Sequence, residues 1–186
     1  VFKDAGAIEA LQGIDTLVVD KTGTLTEGKP ALSELVVLDS QQRERLLALA
    51  AALERPSEHP LAHAIVVAAD AEGVTPFDAT GFRAVAGRGV VATVDGASVA
   101  LGNAKLLEEL GIALDAQASR RADAMRGQGA TVMHLAVDGS PAALLAVADR
   151  IKPGALQTVA ALQAAGVRVV MLTGDNATTA QAVALE

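Results

Sequence analysis

The chain is predicted to be α/β: an incomplete parallel-sheet unit whose sequence is interrupted by an inserted α+β unit built on an antiparallel sheet. Three observations carry this. An apolar run, Ile14-Asp15-Thr16-Leu17-Val18-Val19, ends on Asp20 and a polar, glycine-containing loop, and the same texture returns where Val167–Leu172 runs into Thr173-Gly174-Asp175-Asn176. Between them lie two Asp-Gly hairpin signals, Asp95-Gly96 and Asp138-Gly139. Composition shifts at Gly28-Lys29-Pro30 and again at Asp149-Arg150-Ile151-Lys152-Pro153. The simplest partition makes residues 1–29 the first part of the parallel unit, 30–148 the insertion and 149–186 the second part.

The elements follow in order. Val1–Gly13 reads as a leading helix with Ala7, Ile8 and Leu11 on one face. The strand to Asp20 follows, and Leu32–Leu38 is a further strand after the break at Pro30. Ser40 is the expected cap of an Ala/Leu-rich helix through Leu53. Glu54-Arg55-Pro56-Ser57-Glu58-His59 interrupts it. A second helix runs from Pro60, suited to a first helical position, to Ala71 before Gly73. Phe77–Leu101 reads as strands, with Val91–Val94 and Ala97–Ala100 joined by Asp95-Gly96. Gly102-Asn103 opens a short helix, and Ala116–Arg126 forms another, closed by Gly127 or Gly129. Thr131–Val137 and Ala142–Val147 form the second hairpin, then a helix spans Gly154–Ala165 before the final strand and helix.

Composition narrows the function classes. Apolar residues are 51% of the 186, but aromatics only 2%, with no Trp or Tyr, so the core is Ala, Val and Leu, and a bound base would rest on His, Phe or aliphatic side chains. A net charge of −7 with no basic cluster argues against nucleic acid as a partner. The absence of cysteine removes disulfides, thiolate metal sites and Cys nucleophiles. No apolar run approaches the ~20 residues of a membrane span, and no signal peptide is visible. The chain starts and stops mid-pattern and reads as a piece of a longer protein.

Asp20-Lys21-Thr22-Gly23-Thr24-Leu25-Thr26 carries the chemistry. Open α/β sheets place their active groups at the carboxyl ends of strands. Asp20 is a candidate nucleophile forming an aspartyl phosphate, Lys21 offsets phosphate charge, Gly23 closes the turn, and the threonines offer donors. The alternative is a strand–turn–helix in which the Asp only caps a helix. A chance match to seven fixed letters is on the order of one in a billion per position. The heptapeptide resembles the phosphorylation signature of P-type ATPases, ion pumps of the haloacid-dehalogenase superfamily.

That resemblance covers nearly the whole chain and implies specific roles. It makes 1–29 and 149–186 parts of the phosphorylation domain and 30–148 the nucleotide-binding domain, with a haloacid-dehalogenase-like parallel sheet. Thr173 and Gly174 would bind phosphoryl oxygens beside Asp20, and Asp175 would help place Mg²⁺ together with Asp20 and the Thr22 carbonyl. Phosphatases of the superfamily carry a second Asp two residues after the nucleophile. Here that position is Thr22, which cannot transfer that proton at neutral pH. This suits a pump with a persistent phosphoenzyme and disfavours a soluble phosphatase.

Ser57-Glu58-His59-Pro60 resembles the signature of the heavy-metal-transporting subgroup, in which the His orients adenine and a Glu five residues earlier contacts it, here His59 and Glu54. By the residues alone, His-Pro is an ordinary helix start. The subgroup's Gly-x-Gly and Gly-Asn match Gly87-Arg88-Gly89 and Gly102-Asn103, where close approach of backbone to nucleotide competes with a strand bulge. Asp149 and Lys152 match the position where the chain re-enters the phosphorylation domain, supporting Asp20 or the phosphates, or forming a salt-bridged hinge. His59 and His63, spaced i, i+4, lack an apparent third metal ligand, and His134 in an alternating strand reads as structural.

Glu27-Gly28-Lys29-Pro30 and the run before Asp20 are similar to bacterial copper(I) exporters, with zinc/cadmium pumps close behind. The resemblance thus implies ATP and Mg²⁺ as cofactors and copper as transported cargo. It also implies membrane and actuator domains as partners, and a place on the cytoplasmic face of a membrane as a soluble domain of an integral membrane protein. The family's later Gly-Asp-Gly-x-Asn-Asp loop and its preceding Lys are not in these 186 residues. The chain is therefore expected to bind ATP and not to phosphorylate itself.

Overall fold

A computed structural model describes residues 13–75, 77–174 and 177–185. The expected leading helix, and Asp175 among the expected site residues, lie outside the described residues. The chain divides into two units: Val1–Lys29 with Arg150–Gly174, and Pro30–Asp149 with Asp175–Leu185.

In the first unit, β1 (Thr16–Asp20) pairs in parallel with β8 (Arg168–Leu172), in the register Thr16 with Arg168 through Asp20 with Leu172. A parallel neighbour needs a crossover helix. Here it is α5 (Ala155–Ala164), entered through Gly154 at φ 91°. Short β-branched runs make these strands, yet Val18, Leu156 and Leu172 remain 54%, 61% and 58% exposed, so this unit has no closed core among the described residues.

The second unit is a six-stranded antiparallel sheet in the order β2-β7-β6-β5-β4-β3. Its strands are β2 (Ala31–Val37), β3 (Ala79–Val85), β4 (Gly89–Val94), β5 (Ala97–Gly102), β6 (Thr131–Val137) and β7 (Ser140–Ala148). Two-residue type I′ turns need positive φ at both positions. Asp95 and Gly96 supply 50° and 77°, and Asp138 and Gly139 supply 49° and 77°. The Asp138 carboxylate also accepts the Ser98 N–H at 2.8 Å, tying the two hairpins together.

Both sheet faces are covered. Met133, Leu135 and Val137 of β6 point into a core with α1 (Arg43–Glu54) and α2 (Pro60–Ala71). Val132 and Ala136 point the other way, toward α4 (Ala116–Arg126) and α3 (Ala104–Glu109) respectively. This two-sided burial explains why β6 and β7 read as continuous apolar runs. Helix α1 is buried all round from Leu46 to Glu54, as its unbroken Ala/Leu texture requires.

Two sequence expectations change. Ser40 does not cap α1. The Asp39 carboxylate takes the Gln41 N–H at 2.8 Å, and the helix starts only after Gln42, which makes no side-chain cap. The last helix, α6 (Ala177–Leu185), groups with the antiparallel unit: the buried Thr179 hydroxyl donates to the Ala130 carbonyl at 3.0 Å, and Val183 lies against Gly129.

Candidate functional site

In the first unit, β1 delivers Asp20 in extended conformation, with its side chain exposed, to a single wide turn over Lys21–Leu25. The turn holds Thr22 extended and Gly23 at φ 77°, a value that a side chain would resist. Thr26, 1% exposed, closes it. Its N–H donates to the Lys21 carbonyl at 3.1 Å, its hydroxyl donates to the same oxygen at 3.1 Å, and that hydroxyl accepts the Gly23 N–H at 3.1 Å. The returning segment clamps the loop from outside: Lys152 N–H donates to the Leu25 carbonyl at 2.8 Å and Glu27 N–H to the Arg150 carbonyl at 2.8 Å. The Lys152 ammonium donates to the Gly23 carbonyl at 2.5 Å.

The register that pairs Asp20 with Leu172 brings Thr173 and Gly174 to the same end of the sheet as Asp20. Thr173 is half-buried, and Gly174 has open space around its Cα. Thr22, Gly23 and Thr24 are exposed, whereas Lys21 is buried at 7% exposure, so Lys21 is a packed cation rather than a surface one. The exposed Asp20 carboxylate is a hard oxygen ligand of the kind that Mg²⁺ takes together with phosphate and water. No group of three or more His, Cys, Asp or Glu suited to a metal occurs among the described residues, so the His59 and His63 spacing gathers no further ligand.

In the second unit, Glu54 ends α1 and is 4% exposed. Burial pushes its carboxyl up to about 7, opposed by a hydrogen bond from Ser57. The Ser57 N–H also donates to the Glu54 carbonyl at 2.9 Å. His59 caps α2: its Nδ1 accepts the Leu61 N–H at 3.2 Å, and Pro60 takes the first helical position. With Nδ1 accepting, the neutral ring carries its proton on Nε2, and the side chain is exposed.

The glycines form one corner. A Cβ on Gly89 would lie 2.2 Å from the Leu101 carbonyl oxygen, and one on Gly102 would lie 2.2 Å from the Arg88 carbonyl oxygen. Both are glycine because β4 and β5 approach each other closely here. Gly87, at φ 68°, faces open space. The Asn103 side chain donates to the Gly87 carbonyl at 2.9 Å while its oxygen accepts the Leu106 N–H at 3.2 Å, so one residue holds the turn and caps α3.

Arg45 near the start of α1 pairs with Asp95 at the β4–β5 turn, 2.9 Å apart. Helix α1 packs against β4 and β5 through their shared core. Glu54, Ser57 and His59 lie together at the α1–α2 junction, and Gly87, Gly89, Gly102 and Asn103 lie together at the β4–β5 corner. Asp149 is half-buried in this unit, while Lys152 belongs to the other, on the Gly23 carbonyl. Sequence reasoning missed Thr26 as the turn's lock, although it is the last letter of the heptapeptide, and missed Arg88, whose ion pair with Glu109 no local pattern signals.

A family model described as haloacid dehalogenase-like hydrolase matches residues 14–186. The chain is 51% identical over 184 residues to a copper-transporting P-type ATPase of Rhizobium leguminosarum bv. viciae, covering 99% of this chain and 22% of that protein. It is 50% identical over 184 residues to a copper-exporting P-type ATPase of Legionella pneumophila subsp. pneumophila, covering 99% and 25%. The chain therefore spans about a quarter of the length of these relatives. Among solved structures, a zinc-transporting PIB-type ATPase in the E2.Pi state superposes with a TM-score of 0.71 at 33% identity, covering 95% of this chain and 28% of that one. No helix among the described residues is long and apolar enough to cross a membrane.

Proposed function

The chain belongs to the haloacid dehalogenase-like hydrolases, and from that premise we propose that it is the ATP-binding and phosphorylation region of a copper-exporting P-type ATPase. The observation that carries this reading is the exposed Asp20 carboxyl on a Gly23 turn locked by Thr26 and Lys152, one strand away from Thr173. The relatives' names support copper as the cargo, and the zinc-transporting neighbour keeps a zinc/cadmium pump as the alternative.

Each residue has a task. His59, through Nε2–H, and Glu54, protonated or ionised near neutrality, read the edge of adenine in place of the missing aromatic stack. Ser57 orients Glu54. The Gly87–Gly89 turn and Asn103 border the rest of the nucleotide. A carboxylate oxygen of Asp20 attacks the γ-phosphorus, the bond to the β–γ bridging oxygen breaks, and ADP leaves with that electron pair. Backbone N–H groups of the turn, Thr173 and Gly174 bind the phosphoryl oxygens, with Asp149 and Lys152 supporting the segment. Asp20 and the Thr22 carbonyl would hold Mg²⁺, which supplies neutralisation of phosphate charge, and Asp175 is assigned to the same task. Thr22 provides no acid or base for the water attack, so the aspartyl phosphate persists. In the whole pump, membrane and actuator domains would be the partners, on the cytoplasmic face of a membrane.

Incubation of the full-length pump with γ-labelled ATP and Mg²⁺ tests this, because the 186-residue chain is itself expected only to bind ATP. Acid-stable, hydroxylamine-labile label that disappears in Asp20→Asn supports it. Saturable ATP binding with no label would reduce the chain to a nucleotide-binding module without turnover. Steady phosphate release from small phosphate esters would replace the pump reading with a soluble phosphatase.

A further inference from the structure

This inference rests on the nucleotide reading above and concerns the part of the ligand that His59 and Glu54 do not address. The β3–β4 turn carries one charged side chain, Arg88, between two glycines. Its backbone is fixed on both sides: the N–H donates to the Val85 carbonyl at 3.0 Å, and the carbonyl accepts the Asn103 N–H at 2.8 Å. The guanidinium reaches across to Glu109, the last residue of α3, in an ion pair whose side chains are 44% and 46% exposed.

The surroundings make this cation matter. Glu108 and Glu109, both exposed, end α3 beside this turn, and the chain carries −7 overall. A triphosphate approaching such a surface meets a repulsive field unless a local cation reverses it. An exposed ion pair is weak and screened by salt. An arginine that trades one carboxylate for two phosphate oxygens in a forked contact gains a stronger partner. The Arg88 side chain is 44% exposed, so the fork is open to solvent beside its carboxylate partner. Lys105, exposed on the first turn of α3, is a second cation near this corner, but it lacks the fork and the fixed turn.

We infer that Arg88 reads the triphosphate of the bound nucleotide, and that Glu109 holds its guanidinium in the nucleotide-free chain as an intramolecular competitor. Amide chemical-shift titrations of the 186-residue chain with ATP and with adenosine test this at low and at high salt. Arg88→Gln is expected to weaken ATP about tenfold, one decade of affinity, while leaving adenosine within about twofold. Glu109→Gln is expected to tighten ATP severalfold without moving adenosine, Arg88→Lys to fall between, and all differences to shrink at high salt. Lys105→Gln is the control. An unchanged ATP affinity in Arg88→Gln, or an equal loss in Lys105→Gln, overturns the role of Arg88 while leaving the nucleotide reading in place. Failure of the wild-type chain to bind either ligand overturns that reading and this inference with it.

Discussion

Lys152 grips the Gly23 carbonyl with its ammonium, 2.5 Å from Nζ to oxygen, although 129 residues separate the two in sequence. The contact makes the curvature of the loop after Asp20 depend on the segment that returns from the insertion. Lys152→Met is expected to speed amide exchange at Gly23 and Thr26 about tenfold, because their partners lie inside the turn that Lys152 holds closed. The far-UV circular dichroism of the variant should match wild type. Unchanged exchange would mean that Thr26 holds the loop alone.

Gly89 and Gly102 make a second, sharper prediction. A methyl at either would enter backbone at 2.2 Å, with no flexible side chain to yield except Leu106 beside Gly102. Gly89→Ala and Gly102→Ala should each destabilise the antiparallel unit by about 3 kcal/mol. Gly87→Ala meets open space and should cost only about 1 kcal/mol, the strain of its positive φ. Urea denaturation followed by far-UV circular dichroism measures this, since a chain without Trp or Tyr has no useful fluorescence. Equal losses at Gly87 and Gly89 would refute the close-approach explanation.

Local chemistry was legible in the sequence, and long-range packing was not. Both Asp-Gly turns follow from residues whose preferred φ the hairpin needs. The Pro60 helix start and the short helix after Asn103 follow from caps. Ser40 does not cap because Asp39 turns the chain through the Gln41 N–H and the helix begins two residues later than Ser40 would start it, a shift that a list of preferences does not decide. That Ala177–Leu185 would rest on Ala130 and Gly129 had no signal, since its Ala-rich faces are nearly equivalent. Gly89 and Gly102 also serve a strand-to-strand approach, which depends on a register set by the whole hairpin. The buried state of Lys21 and the Arg88–Glu109 pair are likewise products of tertiary structure.

His59 has two jobs that one substitution separates. Its Nδ1 caps α2, and its exposed Nε2 edge is the proposed adenine reader. Asn is a strong cap but is too short to present an equivalent donor. His59→Asn should therefore keep the thermal midpoint close to wild type and weaken ATP about tenfold. Calorimetric titration and a melting curve on one preparation check both halves. A retained affinity would remove His59 from the nucleotide site.

Glu54 and His134 are buried groups with opposing pH signatures. Burial holds Glu54 up at about 7 from 4.5, so between those values the native chain keeps a proton that the unfolded chain has lost. Stability from this group falls as pH rises from 4.5 to 7 and is flat above. His134 is 1% exposed; its Nε2 meets Arg126 at 3.1 Å, and its Nδ1 has no hydrogen-bond partner among the described residues. Burial first, and the Arg126 charge second, bring it down to about 4 from 6.5. There the unfolded chain holds the extra proton, so stability rises with pH from 4 to 6.5. Each effect amounts to about 3 kcal/mol across its window. The two slopes nearly cancel between pH 4.5 and 6.5, and wild type should show little net dependence from this pair. Glu54→Gln should expose a rising profile over that window, and His134→Leu a falling one that levels near pH 7. Urea midpoints at half-unit pH intervals measure all three. A wild-type profile as steep as that of Glu54→Gln would mean that Glu54 is already ionised in the native state, and burial would then not be what sets its protonation.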